Sequence, residues 1–159
     1  MSKIIISYVA DDELLYRRIL DDPDLYEVQN DGTVKFKTLA FSDVDFRTSV
    51  DRAKLCDNDP KQTVKKFPGS GVVSLVARDI RAIDDIIQYD KDQNPIREFK
   101  VDVEHVPIIN DPVEQDNPAH AEIHTKPECP NRRVFKRLRE KLVLLANNRQ
   151  WELKPASLS

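Results

Sequence analysis

Glycine is scarce in this chain: Gly32, Gly69 and Gly71 are all there are. Phosphate-cradling loops need glycine in a set order, because only a bare backbone can approach the ligand closely. Pro68-Gly69-Ser70-Gly71 lacks the Lys-Ser/Thr pair of a P-loop and the third glycine of a dinucleotide loop, so it reads as a turn. Cysteine is equally sparse, with only Cys56 and Cys129. That count does not suggest a disulfide-stapled secreted scaffold, and free thiols in a reducing compartment are expected. No apolar run approaches the roughly 18–20 residues that a bilayer span requires. The opening Met-Ser-Lys-Ile-Ile-Ile-Ser-Tyr has one cation and three consecutive aliphatics, too little for a secretory signal. A cytoplasmic location is therefore expected. Nor is there an excess of positive charge: 28 acidic residues face 25 Lys and Arg, for a net charge of −3. The whole chain thus lacks the basic balance of a dedicated nucleic-acid binder, although a local patch would not register in that sum.

What is present suits one folded domain covering residues 1–159. Hydrophobic residues make up 40% and charged residues 33%, and a chain of this length buries about two thirds of its unfolded surface. Lys3–Val9 is β-branched and reads as a strand. Asp11 or Asp12 can cap a short helix carrying Leu14, Leu15, Ile19 and Leu20. Leu25–Val28 and Thr33–Phe41 flank Asn30-Asp31-Gly32, a hairpin turn signal. Residues 42–55 fit either period. Asp59-Pro60 starts a further helix. Val72–Ala77 reads as a buried strand and Arg78–Ile87 as a short helix, with the start of the next strand as the alternative for Ile86–Tyr89. Phe99, Val101 and Val103 alternate with polar residues, which marks a half-buried strand. A polar loop follows at residues 110–118, then a strand over 119–125. Asn131 caps a final helix, 132–147, with Val134, Phe135, Leu138, Leu142, Leu145 and Ala146 in one stripe. Trp151 should pack near its end, and a tail from about 152 to 159 should be loose. The expected fold is therefore α+β: a mixed sheet of about five or six strands, with the C-terminal amphipathic helix packed on it.

Two clusters carry candidate chemistry. In His120-Ala121-Glu122-Ile123-His124, a strand places both histidines and the carboxylate on one face. The two histidines then stand about 13 Å apart, too far to share one metal ion at bonds of about 2 Å. A helix would instead make them chelating neighbours. The strand is preferred, and the simplest reading of its polar side is a solvated face. His120, Glu122 and His124 remain the catalytic candidates, since imidazole can exchange protons near neutral pH; whether they bind a metal is left open. His120-Ala121-Glu122 also matches half of the zinc deaminase signature, but Pro127-Glu128-Cys129-Pro130 supplies one cysteine where two are needed, which excludes that chemistry. Cys129 is five residues from His124 and is read as inert. The second cluster, Arg47, Ser49, Asp51 and Arg52, is a candidate binding site for an anion, against the plainer reading of surface ion pairs. The final helix presents Arg132, Arg133, Lys136, Arg137, Arg139 and Lys141 outward. That face could meet nucleic acid or an acidic partner, or simply be solvated.

Three segments, Glu13-Leu14-Leu15-Tyr16-Arg17-Arg18-Ile19, Ser49-Val50-Asp51-Arg52-Ala53 and Asp116-Asn117-Pro118-Ala119-His120-Ala121, together resemble a group of small uncharacterised bacterial proteins. The resemblance implies a bacterial origin and a standalone domain, and it brings no activity, ligand or catalytic residue. The expected function is a small intracellular binding or regulatory module acting through a protein partner. Nucleic acid on the basic helix is the second partner class, and no cofactor or membrane is implied. The rival is a small hydrolase or nuclease-like enzyme using the His/Glu cluster.

Overall fold

A computed structural model describes residues 5–159. In chain order, strands β1 (Leu14–Ile19), β2 (Tyr26–Val28), β3 (Val34–Phe36), β4 (Thr48–Arg52) and β5 (Gly71–Val76) precede the short helix α1 (Ala77–Arg81). Strands β6 (Ile86–Tyr89), β7 (Pro95–His105) and β8 (His120–Lys126), helix α2 (Arg132–Arg149) and strand β9 (Trp151–Leu153) complete the order. Seven strands form one sheet in the order β6-β7-β8-β4-β1-β5-β9, and β2-β3 is a separate hairpin. The fold is α+β with a C-terminal helix on the sheet. The sheet is larger than expected, and every pairing in it is antiparallel rather than mixed.

The first two elements differ from expectation. Of the strand expected over Lys3–Val9, Ile5–Val9 form no strand, and Lys3 and Ile4 lie outside the described residues. Residues 14–19 are a strand, not a helix. The spacing of Leu14, Leu15 and Ile19 satisfies a helical period, but β1 lies between β4 and β5 and is buried on both faces. Leu15 and Ile19 face the α2 side, and Tyr16 faces the other. Six consecutive partners, from Leu14↔Val76 to Ile19↔Gly71, hold it extended. Long-range pairing has overridden local spacing.

The sheet buries one side under α2. Leu15, Val50, Leu75, Val103 and Ile123 share a cluster with Val134, Phe135, Leu138, Leu142 and Ala146 of the helix. Each such side chain contributes about 1.5–3 kcal/mol when fully buried. The opposite side is divided. Around β1 and β5 it is apolar, with Tyr16 and Val72 beneath the turns Ala53–Cys56 and Pro60–Val64. Asp59 caps the second of these turns by accepting from the Lys61 amide. Across β7, β8 and β4 that side is polar.

The hairpin forms where Asp31-Gly32 placed it, with Gly32 at φ 86°. Its outer strand is pinned to the end of α2. The Gln150 side chain accepts from the Val34 amide at 2.7 Å and donates to the Val34 carbonyl at 3.0 Å. Asn147 Oδ1 accepts from the Phe36 amide at 2.8 Å. Trp151 then packs edge-to-face on Tyr26 and Phe36. The tail expected to be loose is held. Residues 151–153 form the edge strand β9, the Ser157 amide donates to Asp21 at 2.9 Å, and the Ala156 amide donates to the Gly69 carbonyl.

Candidate functional site

The two clusters picked from sequence meet in the sheet. Strand β8 lies between β7 and β4, with Asp51 opposite His120, Ser49 and Glu104 opposite Glu122, and Asp102 opposite His124. The shared face of His120, Glu122 and His124 is real, and Ser49 and Asp51 belong to it. Glu122, Ser49 and Asp51 are half-exposed on that face, but its histidines are not solvated as expected. His120 is 9% exposed and His124 5%, because β8 is an interior strand whose long polar neighbours lie over it.

The histidine rings are committed to structural bonds. His120 Nδ1 donates to the Val106 carbonyl at 2.8 Å, fastening β8 to the chain just beyond β7. His124 Nδ1 lies 3.2 Å from the Thr125 carbonyl. Its Nε2 is 3.2 Å from Glu104 Oε1, but it is not aligned for a hydrogen bond and has no other partner. The third histidine, His105, accepts from the Ser7 amide at Nδ1 and donates from Nε2 to the Pro118 carbonyl at 2.7 Å, so both of its ring nitrogens are used. Glu122 is neutralised by Arg47 at 3.2 Å, and Arg47 also reaches Glu128. Among the described residues no group of three His, Cys, Asp or Glu side chains is placed to hold a metal ion.

The anion-binding candidates are occupied by the protein itself. Arg52 is fully buried rather than on the surface. Its Nε and Nη2 each lie 2.8 Å from a Glu13 oxygen, and it also donates to Ser7 Oγ and to the Tyr8 carbonyl. Burial alone would raise the Glu13 pKa, yet the Arg52 hydrogen bond, the Ala10 amide and the charges of Arg52 and Lys54 together hold it below the usual carboxylate range. Asp51 accepts from Asn117 at 2.8 Å. The Ser49 amide and Arg17 converge on Asp43.

A different surface remains open. The first half of α2 lines a groove of about 660 Å³ with Asn131, Arg132, Arg133, Val134, Lys136, Arg137 and Arg139, against Gln88 and Tyr89 of β6. Helix α2 starts here because Asn131 Oδ1 accepts from the Val134 amide at 3.0 Å. Arg17, Arg47, Arg52 and Arg81 are each held by a carboxylate. Among the described residues Arg132, Arg133, Lys136, Arg137, Arg139 and Lys141 take part in no ion pair. Arg137 stacks over Tyr89 at 4.9 Å instead. Arg139 is not an outward residue. It is 8% exposed, its Nε has no partner, and its one polar contact is a 3.5 Å approach of Nη1 to the Thr38 carbonyl. Desolvation and the charge of Arg132 push its pKa down, against a weaker pull from Glu140. Sequence reasoning placed the other cations on this face but missed the burial of Arg139 and the role of Tyr89. Arg139 was legible, since it follows Phe135 by four residues and precedes Leu142 by three on the apolar stripe. Tyr89 was not, because only tertiary packing brings β6 beside α2.

The geometry thus defines a small α+β domain with an open, strongly cationic groove. No protein-family model, curated protein or solved structure matches the chain.

Proposed function

We propose that this chain is a bacterial, cytoplasmic, non-enzymatic binding module whose partner is acidic and docks on the basic face of α2. The observation that carries the reading is that, among the described residues, Arg132, Arg133, Lys136, Arg137, Arg139 and Lys141 take part in no ion pair, in a protein whose net charge is −3. A cation cluster left unneutralised on an acidic chain is a local positive field, which draws in and orients an oppositely charged partner. Among the described residues no helix is long and apolar enough to cross a membrane, which fits this placement. The rival, a small hydrolase or nuclease-like enzyme using His120, Glu122 and His124, has less support. Its imidazoles are buried and its carboxylate is neutralised by Arg47.

The test is retention on a polyanion. Wild-type protein should bind labelled poly-glutamate and a heparin column at low salt. Arg133→Glu/Arg137→Glu, which reverses one exposed and one half-buried cation at the groove, should abolish both while leaving the circular dichroism spectrum unchanged. Equal retention of the variant, or no retention of the wild type, would overturn the reading.

A further inference from the structure

The acidic-partner reading leaves the chemistry of the ligand open, and the groove narrows it. The inference rests on that reading. Positive charge is concentrated where a helix tolerates it least. Arg132 and Arg133 occupy the first turn of α2, which holds no acidic residue, and Lys136 follows in the next turn. The free amides of a helix N-terminus already amount to about half a positive charge. Asn131 satisfies the Val134 amide, leaving the two preceding amides without an intrahelical acceptor. Arg139, more than nine-tenths buried with an orphaned Nε, adds a desolvated cation that lies over the Phe135 ring and forms no ion pair among the described residues, Glu140 included. A buried unpaired charge is costly to maintain, and a bound anion would relieve all of these groups together. Phosphate suits such a place, because open helix amides and the arginine fork both match its oxygens.

The opposite wall supplies a second kind of contact. Tyr89 is half-buried with the Arg137 guanidinium over its ring at 4.9 Å, a flat π surface beside the cations. A cationic groove with an aromatic platform is the arrangement that binds single-stranded nucleic acid, where phosphates track the charge and bases stack. An acidic protein segment would use the charge but not the platform. We propose that the groove between α2 and β6 is a site for single-stranded nucleic acid, with Arg139 anchoring one phosphate and the Tyr89–Arg137 pair stacking a base.

The probe is a fluorescein-labelled mixed-sequence single-stranded DNA, read by anisotropy with the intact protein. With about four phosphate contacts, affinity should fall about 50-fold between about 50 and 200 mM salt. Arg133→Gln/Arg137→Gln should roughly halve the slope of that salt dependence. Tyr89→Ala should weaken binding about tenfold at constant salt dependence, since it removes a stacking surface and no charge. Arg139→Met should weaken binding at least tenfold while the melting temperature stays the same or rises, because a buried cation without a partner has been removed. A lower melting temperature with intact binding would sink the anchor role, and Tyr89→Ala still tests the site if Arg139→Met fails to fold. Poly-glutamate competing as well as the oligonucleotide per unit charge, with Tyr89→Ala silent, overturns the nucleic-acid assignment and leaves the acidic-partner reading standing. Failure of both probes to bind at 50 mM salt removes both readings.

Discussion

Replacing Glu13 with Gln should be among the most damaging conservative changes in this protein. Glu13 is 7% exposed and Arg52 is entirely enclosed. The carboxylate meets the guanidinium through two contacts of 2.8 Å and accepts from the Ala10 amide at 2.6 Å. Gln keeps the volume but leaves the Arg52 charge buried without its counter-ion. Breaking one side of a buried pair costs about 3–5 kcal/mol, a large share of a domain stability of about 5–15 kcal/mol. For a chain of this length that corresponds to a fall in melting temperature of roughly 6–20 °C. Urea unfolding followed by Trp151 fluorescence measures it well. The single tryptophan packs against Tyr26 and Phe36 on the edge strand, remote from the substitution, so it reports global unfolding. The midpoint should drop with little change in slope. Arg52→Met added to Glu13→Gln should recover much of the loss, since an apolar replacement of a buried pair is often neutral. Recovery should stop short of complete, because Arg52 also holds Ser7 and Tyr8. A loss below about 1 kcal/mol for Glu13→Gln would refute this account of the pair, as would a double variant less stable than the single.

Acid should unfold the protein through its paired carboxylates. Glu13, Asp43 and Asp102 are each desolvated, yet arginine partners and amide hydrogen bonds hold their pKa values below the ordinary range. A depressed folded-state pKa gives stability that is present above the unfolded value and lost as pH falls, so stability should decline from about pH 5 downward. A urea midpoint that is flat or rising from pH 5 to pH 3 would contradict the pairing. The Cys56 thiol is pushed up to about 11, first by burial and then by the charge of Asp51, and Cys129 is raised by burial. Iodoacetamide at pH 8 should therefore add slowly to the half-buried Cys129 and not to Cys56 until urea is added, which intact mass would follow; native labelling of Cys56 at the rate of a free thiol would be inconsistent. At Gly71 an added Cβ would strike the Trp151 ring and lie 3.0 Å from Pro155 Cδ. Gly71→Ala should cost about 1–3 kcal/mol by overpacking and loosen β9, visible as faster amide exchange at Leu153.

The elements that could be read from the sequence are those whose signals are local. The α2 stripe recurs every three or four residues, the β2–β3 turn carries Asp31-Gly32, and β8 alternates. Each reading needed only a few neighbouring residues. Strand β1 could not be read that way. Its two arginines look like a solvated helix face, yet Arg17 runs inward to the Ala40, Ser42 and Ser49 carbonyls and to Asp43. None of these partners lies within 20 residues of it. The parity of His120, Glu122 and His124 was likewise local, but the burial of the two histidines was not, since β8 becomes an interior strand only when β4 and β7 pair on either side.

The same contrast decides which arginines belong to the core and which to a site. Arg52 shares its strand face with Thr48 and Val50, and Arg139 shares its helix stripe with Phe135 and Leu142. Both are cations at positions that the apolar period assigns to the interior. Arg52 finds Glu13, 39 residues away, at a fixed bidentate distance, and its burial is accounted for within the chain. Arg139 approaches the Thr38 carbonyl at 3.5 Å and lies over the Phe135 ring at 4.9 Å, and the nearby carboxylate of Glu140 forms no ion pair with it. Two interior arginines with similar sequence settings therefore differ in one respect, the presence of an internal counter-ion. On the proposed reading, an anion bound in the groove beside Arg139 supplies the counter-charge that Arg52 finds within the chain.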